Sequence, residues 1–483
     1  MHRIRRIFNL ERTVSVAVFF VVCWQLFIPP TLGLADNGDF ARLLVYFDLT
    51  HAPSDRDARY FGYFTRHYVV DAAESIRYSP RGFISSELGI IAAPIAVDRL
   101  FGKKSFDLVQ IGAVQAVLFA ASVWFVLFAS RAFAGRMRTT GIILGTIVFT
   151  DIAYIAYFNS FYSEPATLIF FLMVTACAYA AMSWERRRMT WLAAYFAAVT
   201  VFLLAKYQNI ALLPVFLIFG GLVVKRWGEI KYFHAYLLFA LAASYGGYLY
   251  FISSPDAVND AVLYNSVFNG VLVDSPQPGE DLAALGFDPG LARYAGSTAF
   301  QPDSLRFNPE FLRKFRESMT IGKVFKFYLR RPGRLWAGLN RTATAAFELR
   351  PKLGNYEKSA GHAPGSLSQS WAMWSSVRST VLPRGLWFVV AVGILYLALL
   401  TRNWLRYQDR LSRLSLEWSA LIAVMALAQL LLITVSDGIL DLTKHAYLFN
   451  LLFDYMLVLM FTHLLAFLIG AATKAEPKAE EPT

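Results

Sequence analysis

The chain has 483 residues, of which 56% are apolar and only 17% charged. That balance excludes an ordinary soluble domain, and two cysteines buried in apolar runs, Cys23 and Cys177, exclude a disulfide framework or a zinc site. The net charge of +12 would suit nucleic acid, but the placement of the cations assigns much of it to membrane topology and no nucleic-acid partner is expected.

In chain order, ten windows are apolar and long enough to cross ~30 Å of hydrocarbon: 13–34, 106–131, 139–158, 165–184, 190–206, 209–224, 233–252, 384–401, 414–435 and 446–470. Gly33 and Ala35 have the small-x-small look of a signal-peptide cleavage site, yet the apolar run is long for such a segment, so a retained anchor is expected. Every second loop is basic: Arg3, Arg5, Arg6 and Arg12; Arg131, Arg136 and Arg138; Arg186, Arg187 and Arg188; Lys225, Arg226 and Lys231; Arg402, Arg406, Arg410 and Arg413. By the positive-inside rule both termini are cytoplasmic in a plasma or inner membrane. The fold class read from this is an all-α polytopic membrane protein. Its modules are 1–252 with seven spans, an outer loop 253–383, a three-span module 384–473 and a disordered tail 474–483.

The remaining loops then lie outside: 35–105, 158–165, 205–209, 253–383 and 436–445. In the first, "FGYFTRHYVVDAAESI" and "GFISSELGIIAAPIAVDRLFG" show helical spacing and read as helices lying at the interface. The basic, aromatic stretch 311–347 of the long loop reads the same way. Trp371 and Trp374 precede the eighth span, as an aromatic belt would.

Polar residues of both signs gather in these outer pieces. Asp36 and Asp39 bracket the turn dipeptide Asn37-Gly38, which can aim both carboxylates one way; capping or solvation is the plainer alternative. Glu164 precedes Pro165 at the start of the fourth span and can be an N-cap or a site acid, with Asn159 and Tyr162 beside it. Asp151 lies deep enough in the third span to be costly, or to be bonded to a neighbouring helix. Lys206 and Gln208 close the fifth span. Asp437, Asp441, Lys444 and His445 crowd the last outer turn, where Asp441 can pair with Lys444 or His445 at helical spacing.

"DNGDF", "FNSFYSEP" and "AKYQN" after the first, third and fifth spans resemble the GT-C superfamily of integral-membrane glycosyltransferases. "YNSVFNGVLVDSPQPGEDLAALGFDP" and "SDGILDLTKHAYLFNLLFD" look like the hexose transferases of bacterial S-layer and cell-surface glycan assembly. The resemblance implies a GT-C-like fold and a hexosyltransferase that uses a polyprenyl-phosphate sugar outside the cytoplasm. It implies a glycan or lipid-linked acceptor, and inversion at the anomeric carbon. It places the catalytic base at Asp39 or Asp36 and an assisting acid at Glu164. Some members of that superfamily use a divalent cation, Mg or Mn, and many use none.

The residues suit that chemistry. A hydroxyl nucleophile needs a base, which contributes ~10²–10⁴-fold, and the leaving lipid phosphate needs a cation. Arg42, Lys206, Lys444 and His445 are the candidates for that cation, with Asn159, Tyr162, Gln208 and Asp441 completing the substrate-binding set. No Gly-rich phosphate loop or HExxH occurs. An O-antigen-type polymerase or ligase, or a non-enzymatic polyprenyl-lipid transporter, are the rival readings.

Overall fold

The computed structural model describes residues 9–78, 82, 84–133 and 136–475. Arg3, Arg5, Arg6 and the tail beyond residue 475 lie outside the described residues. Ten apolar helical stretches form the bundle: α1 (Leu10–Phe27), α2 (Val109–Ala129), α3 (Arg136–Phe149), α4 (Glu164–Ser183), α5 (Arg188–Leu203), α6 (Leu213–Trp227), α7 (Ile230–Ile252), α8 (Leu386–Arg406), α9 (Arg410–Ser436) and α10 (Tyr447–Ala475). Among the described residues eight helices are long and apolar enough to cross a membrane, and the pair Arg138–Phe149 and Ile152–Phe158, bent by 55°, counts as a ninth if it is one span. The expected fifth span, α5, has 16 residues, ~24 Å at 1.5 Å per residue, and continues through the turn Leu204–Lys206.

Helix α4 is the central member. It packs against α2 and α5, and 78% of its apolar window is buried, against 22% for α7. A helix apolar on all sides is either internal or lipid-facing; here α4 is the first kind and α7 the second. The basic ends meet at one side of the bundle. Glu11 accepts from Arg131 Nε at 2.9 Å and Arg138 Nη2 at 2.6 Å, Arg188 lies 3.3 Å from Glu229, and Arg226 contacts Glu417.

Four expectations are corrected. The first span ends at Phe27 rather than 34, because Pro29 forces Ile28 into an extended conformation and supplies no amide. Residues 61–76 are not one interfacial helix. His67–Val70 is the central strand β2 of a three-stranded antiparallel sheet, between β1 (Leu49–His51) and β3 (Ser105–Asp107); Tyr-Val-Val suits a half-buried strand. The second stretch does form a helix, Glu87–Leu100. Third, Trp371 and Trp374 do not make a belt. Trp371 Nε1 donates to Thr150 Oγ1 at 2.9 Å and Trp374 Nε1 to Asp454 Oδ2 at 2.6 Å, because an indole N–H inside a bundle must find an acceptor. Fourth, of the two readings of Asp151 the costly site acid gives way to the bond to a neighbouring helix. The Asp151 carboxylate accepts from Ala153 N and Ser375 N, each at 2.9 Å. This caps the short helix Ile152–Ile155 and pins the 373–380 helix to α3.

Within 253–383, residues 256–330 form a lobe with its own core of Tyr264, Phe268, Leu282, Phe315 and Phe327. The basic run does form helices, Pro309–Ser318, Ile321–Leu329 and Pro332–Ala346. The following segment is locked by Arg378, which is fully buried. Its guanidinium contacts Asp454 of α10, donates to Asn450 Oδ1 at 3.0 Å and to Ala346 O at 2.9 Å. Tyr154 donates to the same carboxylate at 2.7 Å.

Candidate active site

The site is built on the segment after α1. Residues 33–35 run extended between two other parts of the chain. Gly33 N donates to Asn355 O at 3.1 Å, Leu34 N to Asn159 O at 3.3 Å and Ala35 N to Gly354 O at 3.0 Å. The chain then turns at Asn37-Gly38, with Gly38 at φ +103°, a conformation glycine adopts without strain. Asp36 Oδ1 closes this turn by accepting from Gly38 N at 2.7 Å and Phe40 N at 3.1 Å. Asp36 therefore faces inward, 1% exposed, and burial pushes its carboxyl up to about 7 against the pull of those two amides.

Asp39 emerges on the other side of the turn and its side chain keeps 28% of its exposure. Its two oxygens are taken by different cations, Arg42 on Oδ1 and Lys444 on Oδ2. Arg42 lies one helical turn along the same segment. Lys444 comes from the short helix Leu442–His445 before α10. Its ammonium is nearly enclosed, 5.1 Å above the Tyr162 ring centroid and 3.8 Å from Asp441 Oδ2. Burial pulls the Lys444 pKa down, while Asp441 opposes the shift. Asn37 ties these elements together: Nδ2 donates to Asp441 Oδ2 at 2.5 Å and Oδ1 accepts from Asp39 N at 3.2 Å. Asn37 N in turn donates to the Tyr162 hydroxyl at 3.0 Å, and that hydroxyl donates to Ala35 O at 2.8 Å.

A second ion pair stands beside the first. Glu164 occupies the first turn of α4, where the helix dipole favours an acid, and Lys206 Nζ lies 2.8 Å from its Oε1. Gln208 Nε2 approaches His445 Nδ1 at 3.3 Å, and His445 Nε2 lies 3.3 Å from Asp437 Oδ2. Burial and the nearby Lys206, Lys444 and Arg42 push the His445 pKa well down.

Of the sequence candidates, Asp36, Asp39, Arg42, Tyr162, Glu164, Lys206, Gln208, Asp441, Lys444 and His445 converge in these linked contacts. Asn159 is not a site residue: fully buried, it donates from Nδ2 to Leu32 O at 2.6 Å and so braces the extended segment. Lys206 closes a buried carboxylate, that of Glu164. The acid beside His445 is Asp437, not Asp441, because the Asp441 side chain turns to Asn37. Sequence reasoning missed Asn37 and the roles of Asp437 and Asn265, whose Nδ2 meets Asp437 Oδ1 at 3.4 Å. The dense polar composition of the 436–445 turn was the available signal.

A divalent cation does not fit this donor set. The acids are matched by Lys444, Arg42 and Lys206 and held by amides. Among the described residues no three His, Cys, Asp or Glu side chains are placed to share an ion.

No curated protein and no solved structure matches the chain. A family model described as the YfdI N-terminal transmembrane domain matches residues 2–479. With its apolar helices and its family model in agreement, the chain is a multi-pass all-α membrane protein and belongs to the YfdI N-terminal transmembrane domain family.

Proposed function

We propose that this protein is a membrane glycosyltransferase. It moves a hexose from a polyprenyl-phosphate donor to a cell-surface glycan or lipid-linked acceptor on the extracytoplasmic face. The observation that carries the reading is Asp39, a rim carboxylate at the membrane-edge loop, gripped by Lys444 and Arg42 and set beside the Lys206–Glu164 pair.

In this reaction the acceptor hydroxyl oxygen bonds to the anomeric carbon on the face opposite the phosphate. The carbon–oxygen bond to the phosphate breaks with its electron pair going to the phosphate oxygen, and the hydroxyl proton goes to Asp39. The leaving phosphate gains negative charge, which Lys444, Arg42 and Lys206 stabilise. Lysine suits this role as a compact point charge. Lys444 must exchange one anion for another: the donor phosphate displaces Asp39 from the ammonium, and the freed carboxylate becomes the base. Asp36 keeps the turn in shape, and Glu164 holds Lys206. The basic loops gathered at the opposite end of the bundle support a site facing away from the cytoplasm.

The test is transfer of labelled sugar from a panel of polyprenyl-phosphate hexoses by purified protein. Donor-dependent transfer supports the reading, and no transfer from any hexose donor rejects it.

A further inference from the structure

The 256–330 lobe supplies no residue to the acid–lysine cluster, yet it is fastened to the loop that carries the cluster. The lobe's first helix, Asp256–Ser266, runs into a π-turn, Val267–Val271. A π-turn widens the helix and frees carbonyls from the ladder, and such turns occur often at functional sites. Here Asn269 uses both of its oxygens on one amide: Ile439 N donates to its backbone O at 3.0 Å and to its Oδ1 at 3.2 Å. Its Nδ2 donates to Gly296 O at 3.0 Å, so the side chain itself is fixed within the lobe.

The backbones are in direct contact. Gly438, at φ +66°, rests on the π-turn so closely that a Cβ there would lie 2.3 Å from Asn269 O; a Cβ on Gly270 would lie 3.2 Å from Gly438 Cα. One turn earlier, Asn265 accepts from Ala299 N at 2.8 Å and donates to Asp437 Oδ1 at 3.4 Å. The other oxygen of Asp437 faces His445, the neighbour of Lys444. A chain of polar contacts thus runs from the lobe through Asp437 to the helix bearing Lys444, and a glycine-to-backbone seat runs parallel to it.

We infer that Asn265 and Asn269 are positioning residues: seated on Gly438, they fix the 437–445 segment and thereby the place of Lys444 against Asp39. The inference rests on the glycosyltransferase reading only for its kinetic consequence, not for its structural one.

The experiment uses the full chain in lipid nanodiscs, as wild type, Asn265→Ala, Asn269→Ala and Asn259→Ala. Asn259 lies on the same helix, is exposed, and its side chain donates to Ser254 O at 3.4 Å. Hydrogen–deuterium exchange across 437–445 should rise about tenfold in the first two variants, the loss of one hydrogen bond's worth of protection. Exchange over Pro309–Ser318 and Ile321–Leu329 should stay at the wild-type level, and Asn259→Ala should match wild type throughout. With a polyprenyl-phosphate hexose donor, kcat/KM should fall about tenfold in the same two variants. Unchanged exchange across 437–445, or an equal rise over the whole lobe, overturns the positioning role. Local loosening in a protein whose wild type transfers no sugar rejects the glycosyltransferase reading and leaves the positioning role supported.

Discussion

Lys444 and Asp39 stand 405 positions apart in the chain and share a direct ion pair. The pair closes the first outer loop onto the last one, and it joins the base to the cation that the proposed reaction needs to separate. Replacing Lys444 with Ala removes a charge-assisted contact of about 1.5–3 kcal/mol to the donor phosphate. Donor-dependent kcat/KM should therefore fall by about one to two decades, measured by initial rates at varied donor. A variant with wild-type donor kinetics would move the phosphate site away from this lysine.

Asp39 and Asp36 have separable roles. Asp39→Asn should lower transfer by about 10²–10⁴-fold in a protein that still folds, with some loss of melting temperature, since the enclosed Lys444 loses this carboxylate and keeps Asp441 at 3.8 Å. Asp36→Asn should act on the turn that two of its accepted hydrogen bonds hold, and retain the greater share of activity. Rates and thermal melts on both variants decide this; loss of activity in Asp36→Asn with full activity in Asp39→Asn would swap the assignment.

The raised pKa of Asp36 has a signed consequence. Its unfolded value is near 3.8 and its folded value about 7. The folded state binds the extra proton between those values, so this group's contribution favours folding at low pH and is lost as pH rises from about 4 to about 7. Melting temperatures of Asp36→Asn across that window should show a smaller decline with pH than wild type. An identical slope in the two proteins would mean the carboxyl titrates normally.

Much of the membrane architecture was legible in the sequence, because ~20 apolar residues bounded by basic loops leave few alternatives. The ten windows return as eight long helices, one bent pair and the short α5. Helical periodicity misled at residues 61–76, where short β2 finds its hydrogen-bond partners in β1 and β3, far away in the chain. The site was legible in type rather than in pairing. Asp39 beside Arg42 is a local relationship, three residues apart. Lys206 with Glu164, or Lys444 with Asp39, depends on which helix ends meet, and no spacing encodes that. Asn159 looked like a donor to substrate because its role, bracing the 28–35 segment, exists only once that segment folds against it.

The buried Arg378–Asp454 pair is a structural ion pair, with both side chains fully enclosed. Arg378→Met takes the cation away from the buried Asp454 carboxylate and should cost about 3–5 kcal/mol. Adding Asp454→Asn removes the unpaired charge and should recover part of that loss. Thermal stability in detergent measures both, and a double variant less stable than Arg378→Met would contradict the assignment.

The lobe and the basic loops are placed on opposite sides of the membrane in the proposed orientation. A reporter fused after Arg188 should read cytoplasmic and one near Gly279 external. The reverse at either position would put the acid cluster on the cytoplasmic side.

In the proposed reaction Asp39 and Lys444 together transfer a sugar from a lipid phosphate. Its most direct measurement is single-turnover transfer by purified wild type, Asp39→Asn and Lys444→Ala with a radiolabelled polyprenyl-phosphate hexose and a membrane extract as acceptor source. Wild type should transfer the sugar, Asp39→Asn should be nearly inactive at saturating donor, and Lys444→Ala should use the donor weakly. Transfer that proceeds at the wild-type rate in both variants would contradict this reaction.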